Sequence, residues 1–173
     1  MQIVTDSATD THLLEEKDLG IHIVPLKVTL DEKSYRDGID ISANDFYKVL
    51  EDSKGLPVTS QPAAGEFAEL YRELAKKDPD ILSIPVSSAL NSTVNAAGIA
   101  AGAISKANLK TFDTKTISGV QGRHVEVAAK AARAGLVPKK YSPPLRAARQ
   151  SVRIDGAVPA LASGSRDMTN IRG

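Results

Sequence analysis

Residues 80–97 read DILSIPVSSALNSTVNAA, and the order of residue types within them decides the fold. DILSIPV (80–86) is a nearly continuous apolar run, as expected for a strand covered on both faces. Five hydroxyl or amide side chains then crowd into seven residues: Ser87, Ser88, Asn91, Ser92 and Thr93. An Ala/Gly-rich segment from Ser92 to Lys106 follows and predicts a helix. A buried strand that hands over to a helix is the repeating step of a parallel α/β sheet.

The flanking segments repeat that step. QIVTDS (2–7) predicts a short strand, and Thr9 or Asp10 can cap a helix over THLLEEKDLG that Gly20 stops. IHIVPLKVTL (21–30) is β-rich, with Pro25 at a bulge or edge position, and KSYRDG (33–38) adds a small excursion turning at Asp37 and Gly38. Ser42 and Asp45 form a capping-box pattern ahead of FYKVLED, where Phe46, Val49 and Leu50 fall at helical spacing. GLPVTSQP reads as a loop, and Pro62 suits a first helical turn. Phe67, Leu70, Tyr71 and Leu74 then make one apolar face on AAGEFAELYRELAKK. LKTFDT (109–114) predicts a strand and GRHVEVAAKAARAG (122–135) a helix. The expected fold class is α/β, a mainly parallel sheet flanked by helices, with a short irregular C-terminal fragment of a second domain.

Composition sets the limits of function. The 173 residues are 42% hydrophobic and 25% charged, enough to bury one core. A net charge of +1 with 4% aromatics argues against a nucleic-acid partner. The chain lacks cysteine, and His12, His22 and His124 have no zinc-ligand spacing, so neither a metal nor a cofactor is expected. No apolar run approaches a membrane span and the N-terminus lacks signal-peptide order, which predicts a cytoplasmic protein without stable membrane insertion. From residue 138 on, seven Lys or Arg stand against two Asp, net +5, which leaves −4 on the first 137 residues of a chain carrying +1. Four prolines and three glycines interrupt that stretch. The division expected is 1–137 as the α/β domain and 138–173 as linker and second-domain fragment.

In open parallel sheets ligands bind at the carboxyl ends of the strands, where helix N-termini offer unpaired N–H groups. Four polar clusters fall there: Thr5-Asp6-Ser7, Thr59-Ser60-Gln61, Ser87 to Thr93, and Asp113-Thr114 with Ser118. Hydroxyls and helix amides together make a neutral anion hole, suited to a carboxylate or phosphate held without a fixed cation. Ordinary helix capping accounts for any one cluster alone. Enzyme signatures are absent: TDSATD puts Ala8 where a phosphoaspartyl site needs a second carboxylate, and there is neither a G-x-S-x-G elbow nor a P-loop. His124 reads as a partly solvated helix-face residue, and Gly119 and Gly122 as the turn that starts a helix.

Several pieces together resemble the DegV family, the fatty-acid-binding proteins of bacteria: IVTDSATD (3–10), IVPLKV (23–28), YRDGIDIS (35–42), LPVTSQPAAGEF (56–67), IPVSSALNSTVNAA (84–97) and FDTKTISGVQG (112–122). They run in family order and cover about residues 1–135. The resemblance implies a two-domain α/β protein that holds a long-chain fatty acid between its domains and presents the carboxylate to a fatty acid kinase for phospholipid synthesis. It implies no catalytic role for the protein itself. The family's carboxylate ligands are the threonine of TSQP, which is Thr59 here with Ser60 beside it, and the first serine of L-S-G-T. That serine falls on Asn91, since the chain reads Leu90-Asn91-Ser92-Thr93. The ligand-binding residues expected are Thr59, Ser60, Ser88, Asn91, Ser92 and Thr93, with the acyl chain over Ala96 to Ala103. The tail GSRDMTNIRG is only faintly similar to the family's G-G-R-I-S motif, and its composition favours a truncated or frame-disrupted end over a native short form. The alternatives are a small-molecule enzyme or nucleotide binder that uses Asp6 and Asp113, and a scaffold that docks a partner.

Overall fold

The computed structural model describes residues 1–9 and 19–135. The expected helix at THLLEEKDLG and the division at residue 138 fall outside the described residues, apart from Leu19 and Gly20.

Four strands form the parallel sheet, in the order β2 (Ile21–Val24), β1 (Gln2–Asp6), β6 (Asp80–Ile84), β7 (Asn108–Thr111). Side chains alternate across a strand, and here both faces are covered. Val4 and Ile81 point into a core built with Phe67, Tyr71 and Leu74 of α2 (Ala64–Lys77) and Ala96, Ala97 and Ala100 of α3 (Thr93–Gly102). Ile3, Leu82 and Ile84 point the other way, onto Val125, Ala128 and Ala129 of α4 (Ser118–Arg133). This is the α/β fold with a mainly parallel sheet that the alternating pattern predicts.

A second, antiparallel sheet departs from the expectation. Pro25 does not bulge one long strand but ends β2, because it has no N–H to continue the ladder. The chain then leaves the sheet and restarts as β3 (Lys27–Leu30) in a separate three-stranded sheet, order β4-β3-β5, with β4 at Lys33–Arg36 and β5 at Val58–Ser60. The β3–β4 link is a two-residue turn at Asp31 and Glu32, whose φ of 45° and 67° have the positive sign that type I′ hairpins require. β5 lies within the segment read as a loop. Helix α1 (Ala43–Glu51) is capped as expected, Ser42 Oγ accepting from Asp45 N at 3.2 Å, but none of its residues is fully buried.

α4 begins at Ser118, four residues before its expected start, so Gly119 and Gly122 lie within the helix. It ends at Gly135, whose φ of 69° is the left-handed conformation that stops helices. His124 is fully buried, correcting the solvated reading: it is one turn before Ala128 on the face against the sheet. Its Nδ1 donates to Val120 O at 2.8 Å.

Candidate functional site

The carboxyl end of β1 is the hub of the site. Asp6 is fully buried, yet three N–H donors reach its carboxylate: Val86 N at 2.7 Å, Ala8 N at 3.0 Å and Gln121 Nε2 at 3.2 Å. Burial pushes the Asp6 carboxyl above its ordinary value, against the pull of those hydrogen bonds. Thr5 gives its single proton to Ile84 O at 2.8 Å, so Thr9 Oγ1, 2.8 Å away, must be the donor in the Thr5–Thr9 pair. Gln121 Nε2 completes the knot on Thr5 Oγ1 at 3.1 Å. Three segments, after β1, after β6 and at the start of α4, are thereby held at one point.

The loop after β6 leaves this hub as a compact turn. Ser87 N donates to Thr116 O at 3.0 Å, and Ser87 O accepts from Leu90 N and Asn91 N at 3.0 and 3.4 Å. Asn91 Oδ1 accepts from Thr93 N at 2.9 Å, so Asn91 does the capping, while Ser92 makes no side-chain cap bond. Thr93 is fully buried at the start of α3, and its Oγ1 has no hydrogen-bond partner among the described residues.

Ser88 is not in a neutral hole. Its hydroxyl donates to Asp113 Oδ2 at 2.5 Å and accepts from Lys115 Nζ at 2.5 Å, while Lys115 Nζ also meets Asp113 Oδ2 at 2.5 Å. A cation therefore stands on the loop, correcting the expectation of hydroxyls and amides alone. Burial pushes Asp113 up, but the bonds from Lys115, Ser88 and their backbone N–H groups outweigh it and hold the carboxyl below its ordinary value. Asp6 and Asp113 lie on opposite sides of β6, each engaged in its own network. Among the described residues no three His, Asp or Glu are grouped as a metal site.

Thr59 and Ser60 come to the same region by another route. Both are exposed on β5, where Thr59 pairs with Val28 and Ser60 with Lys27. Lys27 follows Leu26, whose N–H is held by Ser7 Oγ at 3.0 Å, and Ser7 follows Asp6. The chain entering the flap and the loop after β6 are thus both fastened at the carboxyl end of β1. The acyl surface is only partly as expected. Ala96, Ala97 and Ala100 are buried because α3 packs closely on α2, and Gly98, Ile99, Gly102 and Ala103 make the outward face. Lys115 and Gln121 were not among the expected site residues. Both stand inside FDTKTISGVQG, where attention went to the acids, hydroxyls and glycines.

A family model described as an uncharacterised protein of the DegV family matches residues 1–155. A DegV domain-containing protein of Listeria monocytogenes is 37% identical over 131 residues, 75% of this chain and 46% of that protein. The structure is similar to that of DegV from Bacillus subtilis, described as a fatty acid binding protein, with TM-score 0.81 and 29% identity over 86% of this chain and 53% of that one. A DegV family protein from Thermus thermophilus, described by its fatty acid binding, gives TM-score 0.77 and 30% identity over the same two shares. The chain spans about half the length of these relatives. With the six sequence pieces in order, a parallel sheet that superposes on solved members and a family match over most of its length, the chain belongs to the DegV family.

Proposed function

We propose that this chain binds the carboxylate end of a long-chain fatty acid at the carboxyl end of its parallel sheet and presents it, in the cytoplasm, to a fatty acid kinase. The observation that supports the reading is a set of hydroxyls on β5 and at the start of α3 with no hydrogen-bond partner among the described residues. Thr59, Ser60 and Ser92 hydroxyls make no hydrogen bond among the described residues, and Thr93 Oγ1 is buried without one. Uncommitted donors beside a helix N-terminus suit a carboxylate. The fatty acids held by the Bacillus and Thermus relatives support the same chemistry. No described helix is long and apolar enough to cross a membrane.

In this reading the protein does no chemistry on the ligand. Its contribution is to orient the carboxyl and to cover methylenes, each worth about 0.8 kcal/mol when buried. The test is titration with palmitate, alongside mass spectrometry of an organic extract of the purified protein. Thr59→Val keeps the shape of the side chain and removes its donor, so palmitate affinity should fall about tenfold, the worth of one hydrogen bond to a charged group. The melting temperature should hold, since Thr59 is exposed. An extract without fatty acid, together with no palmitate binding, would end the reading. Unchanged affinity in Thr59→Val would remove only that residue from the site.

A further inference from the structure

We propose that Lys115 is a specificity-determining residue of this site: its ammonium, oriented on Ser88 by Asp113, lets the 88–93 loop select an ionised head over an uncharged one of the same shape. The inference rests on the fatty-acid reading above.

Three observations carry it. The first is connection. Lys115 bonds to the hydroxyl of Ser88, inside the turn that ends at Asn91, so the charge is fastened to the candidate site and not merely near it. The second is capacity. An ammonium has three donors, and two are spent, on Ser88 Oγ and Asp113 Oδ2. The side chain is 45% exposed, so the third donor can be reached by a ligand. The Asp113 carboxylate is meanwhile occupied by others: Oδ1 accepts from Lys115 N and Ser88 N at 3.0 and 3.3 Å, and Oδ2 from the Ser88 hydroxyl.

The third is backbone strain. Lys115 has φ of 58°, a conformation that L side chains rarely adopt, and Ser118 three residues on has the same value. Glycine would fit position 115 without strain, yet a long cation stands there. Strained residues persist where the surroundings over-determine them, and they gather at ligand clamps. An ordinary surface ion pair would need neither the left-handed backbone nor a serine hydroxyl bonded to both partners. Hydroxyls and amides already favour an ionised acid over an alcohol, because a hydrogen bond to a charged acceptor is the stronger one. A cation on the rim widens that preference and makes it depend on salt.

The test compares laurate with 1-dodecanol, delivered from cyclodextrin and followed by NMR shifts of the full chain. The wild type should prefer laurate by about tenfold or more, as a charge-assisted bond is stronger than a neutral one, and the preference should shrink in high salt. Lys115→Met should lose about tenfold for laurate while dodecanol stays within about twofold, and Lys115→Arg should keep the preference. Lys115→Gly removes the charge and relaxes the backbone, so an equal loss in the Gly and Met variants reports the charge alone. A laurate-to-dodecanol ratio unchanged in Lys115→Met overturns the proposal, as does an equal loss for both ligands. A wild type that takes up neither ligand overturns the fatty-acid reading itself, which is a separate result.

Discussion

The parallel sheet and the antiparallel flap obey opposite rules within one chain. In the parallel sheet both faces are covered, and Thr5 and Asp6 at the end of β1 are buried and hydrogen-bonded. In the flap, β3 to β5 with α1, Leu30 and Ile41 are buried but four large apolar residues face outward: Ile39 is 59% exposed, Tyr47 64%, Leu56 82% and Val58 65%. Only Ile99 outside this segment is comparably exposed among the described residues. Polar staples add to the hold on the flap. Arg36 grips Asp40 through both guanidinium arms at 2.8 and 3.0 Å, and Asp31 accepts from Lys54 N and Gly55 N at 3.2 Å each. The parallel sheet supplies a buried, hydrogen-bonded strand end, and the flap carries Thr59 and Ser60 exposed on β5.

Truncation is the most forceful way to break that comparison. Phe67→Ala removes a fully buried ring from the core over Val4 and Ile81, and should cost about 3 to 5 kcal/mol. Leu56→Ala, in the flap, should change stability by no more than about 0.5 kcal/mol. Denaturant unfolding measures both. A loss near 2 kcal/mol at Leu56 would mean that something covers the flap and that the two regions do not differ as described.

Acid sharpens the comparison, because Asp6 in the parallel sheet and Asp40 in the flap are shifted with opposite signs. The Arg36 guanidinium and the Arg36 N–H lower Asp40 to about 2. A folded-state value below the unfolded one, about 3.9, gives stability that is present above the unfolded value and lost as pH falls toward 2. Asp6 is raised by burial, so its contribution is greatest below the ordinary carboxylate range and declines as pH rises through its folded value. Unfolding midpoints of Asp40→Asn and Asp6→Asn, each subtracted from wild type between pH 2 and 7, should slope in opposite directions. Parallel curves would mean that Asp6 is solvated like a flap residue.

How much of this was legible depended on whether the deciding contact was local. DILSIPV declared itself a two-faced strand because burial on both sides leaves no polar alternation to read, and Phe67, Tyr71 and Leu74 declared their helix by spacing alone. Pro25 was legible as an interruption. That the chain there enters another sheet was not, since β3 finds β5 about thirty residues later by a pairing no local pattern encodes. The alanines of α3 misled for a related reason: small side chains suit close helix packing as well as they suit a ligand, and Ala96, Ala97 and Ala100 serve the packing. Lys115 stayed hidden because its role needs positive φ, which glycine or asparagine would have signalled and lysine does not.

The smallest expected effect lies in the loop between β6 and α3, at Asn91. Its Oδ1 caps Thr93 N at 2.9 Å, and its amide N–H groups remain as donors to a ligand. Asn91→Ala removes cap and donor together and should lower stability by about 1 kcal/mol. Asn91→Ser keeps a capping oxygen, since Asn and Ser are near-equal as caps, and should hold stability within about 0.5 kcal/mol. It also supplies the hydroxyl that the resemblance to the L-S-G-T motif implies at this position, so palmitate affinity should hold or rise, while Asn91→Ala should weaken it. Melting temperatures and titrations of the two variants separate the roles. If Ser and Ala variants bind palmitate alike and differ only in melting temperature, Asn91 is a cap alone. The proposed headgroup contacts then reduce to Thr59, Ser60, Ser92, Thr93 and the Lys115 ammonium, and Asn91 serves them only by holding the start of α3 in place.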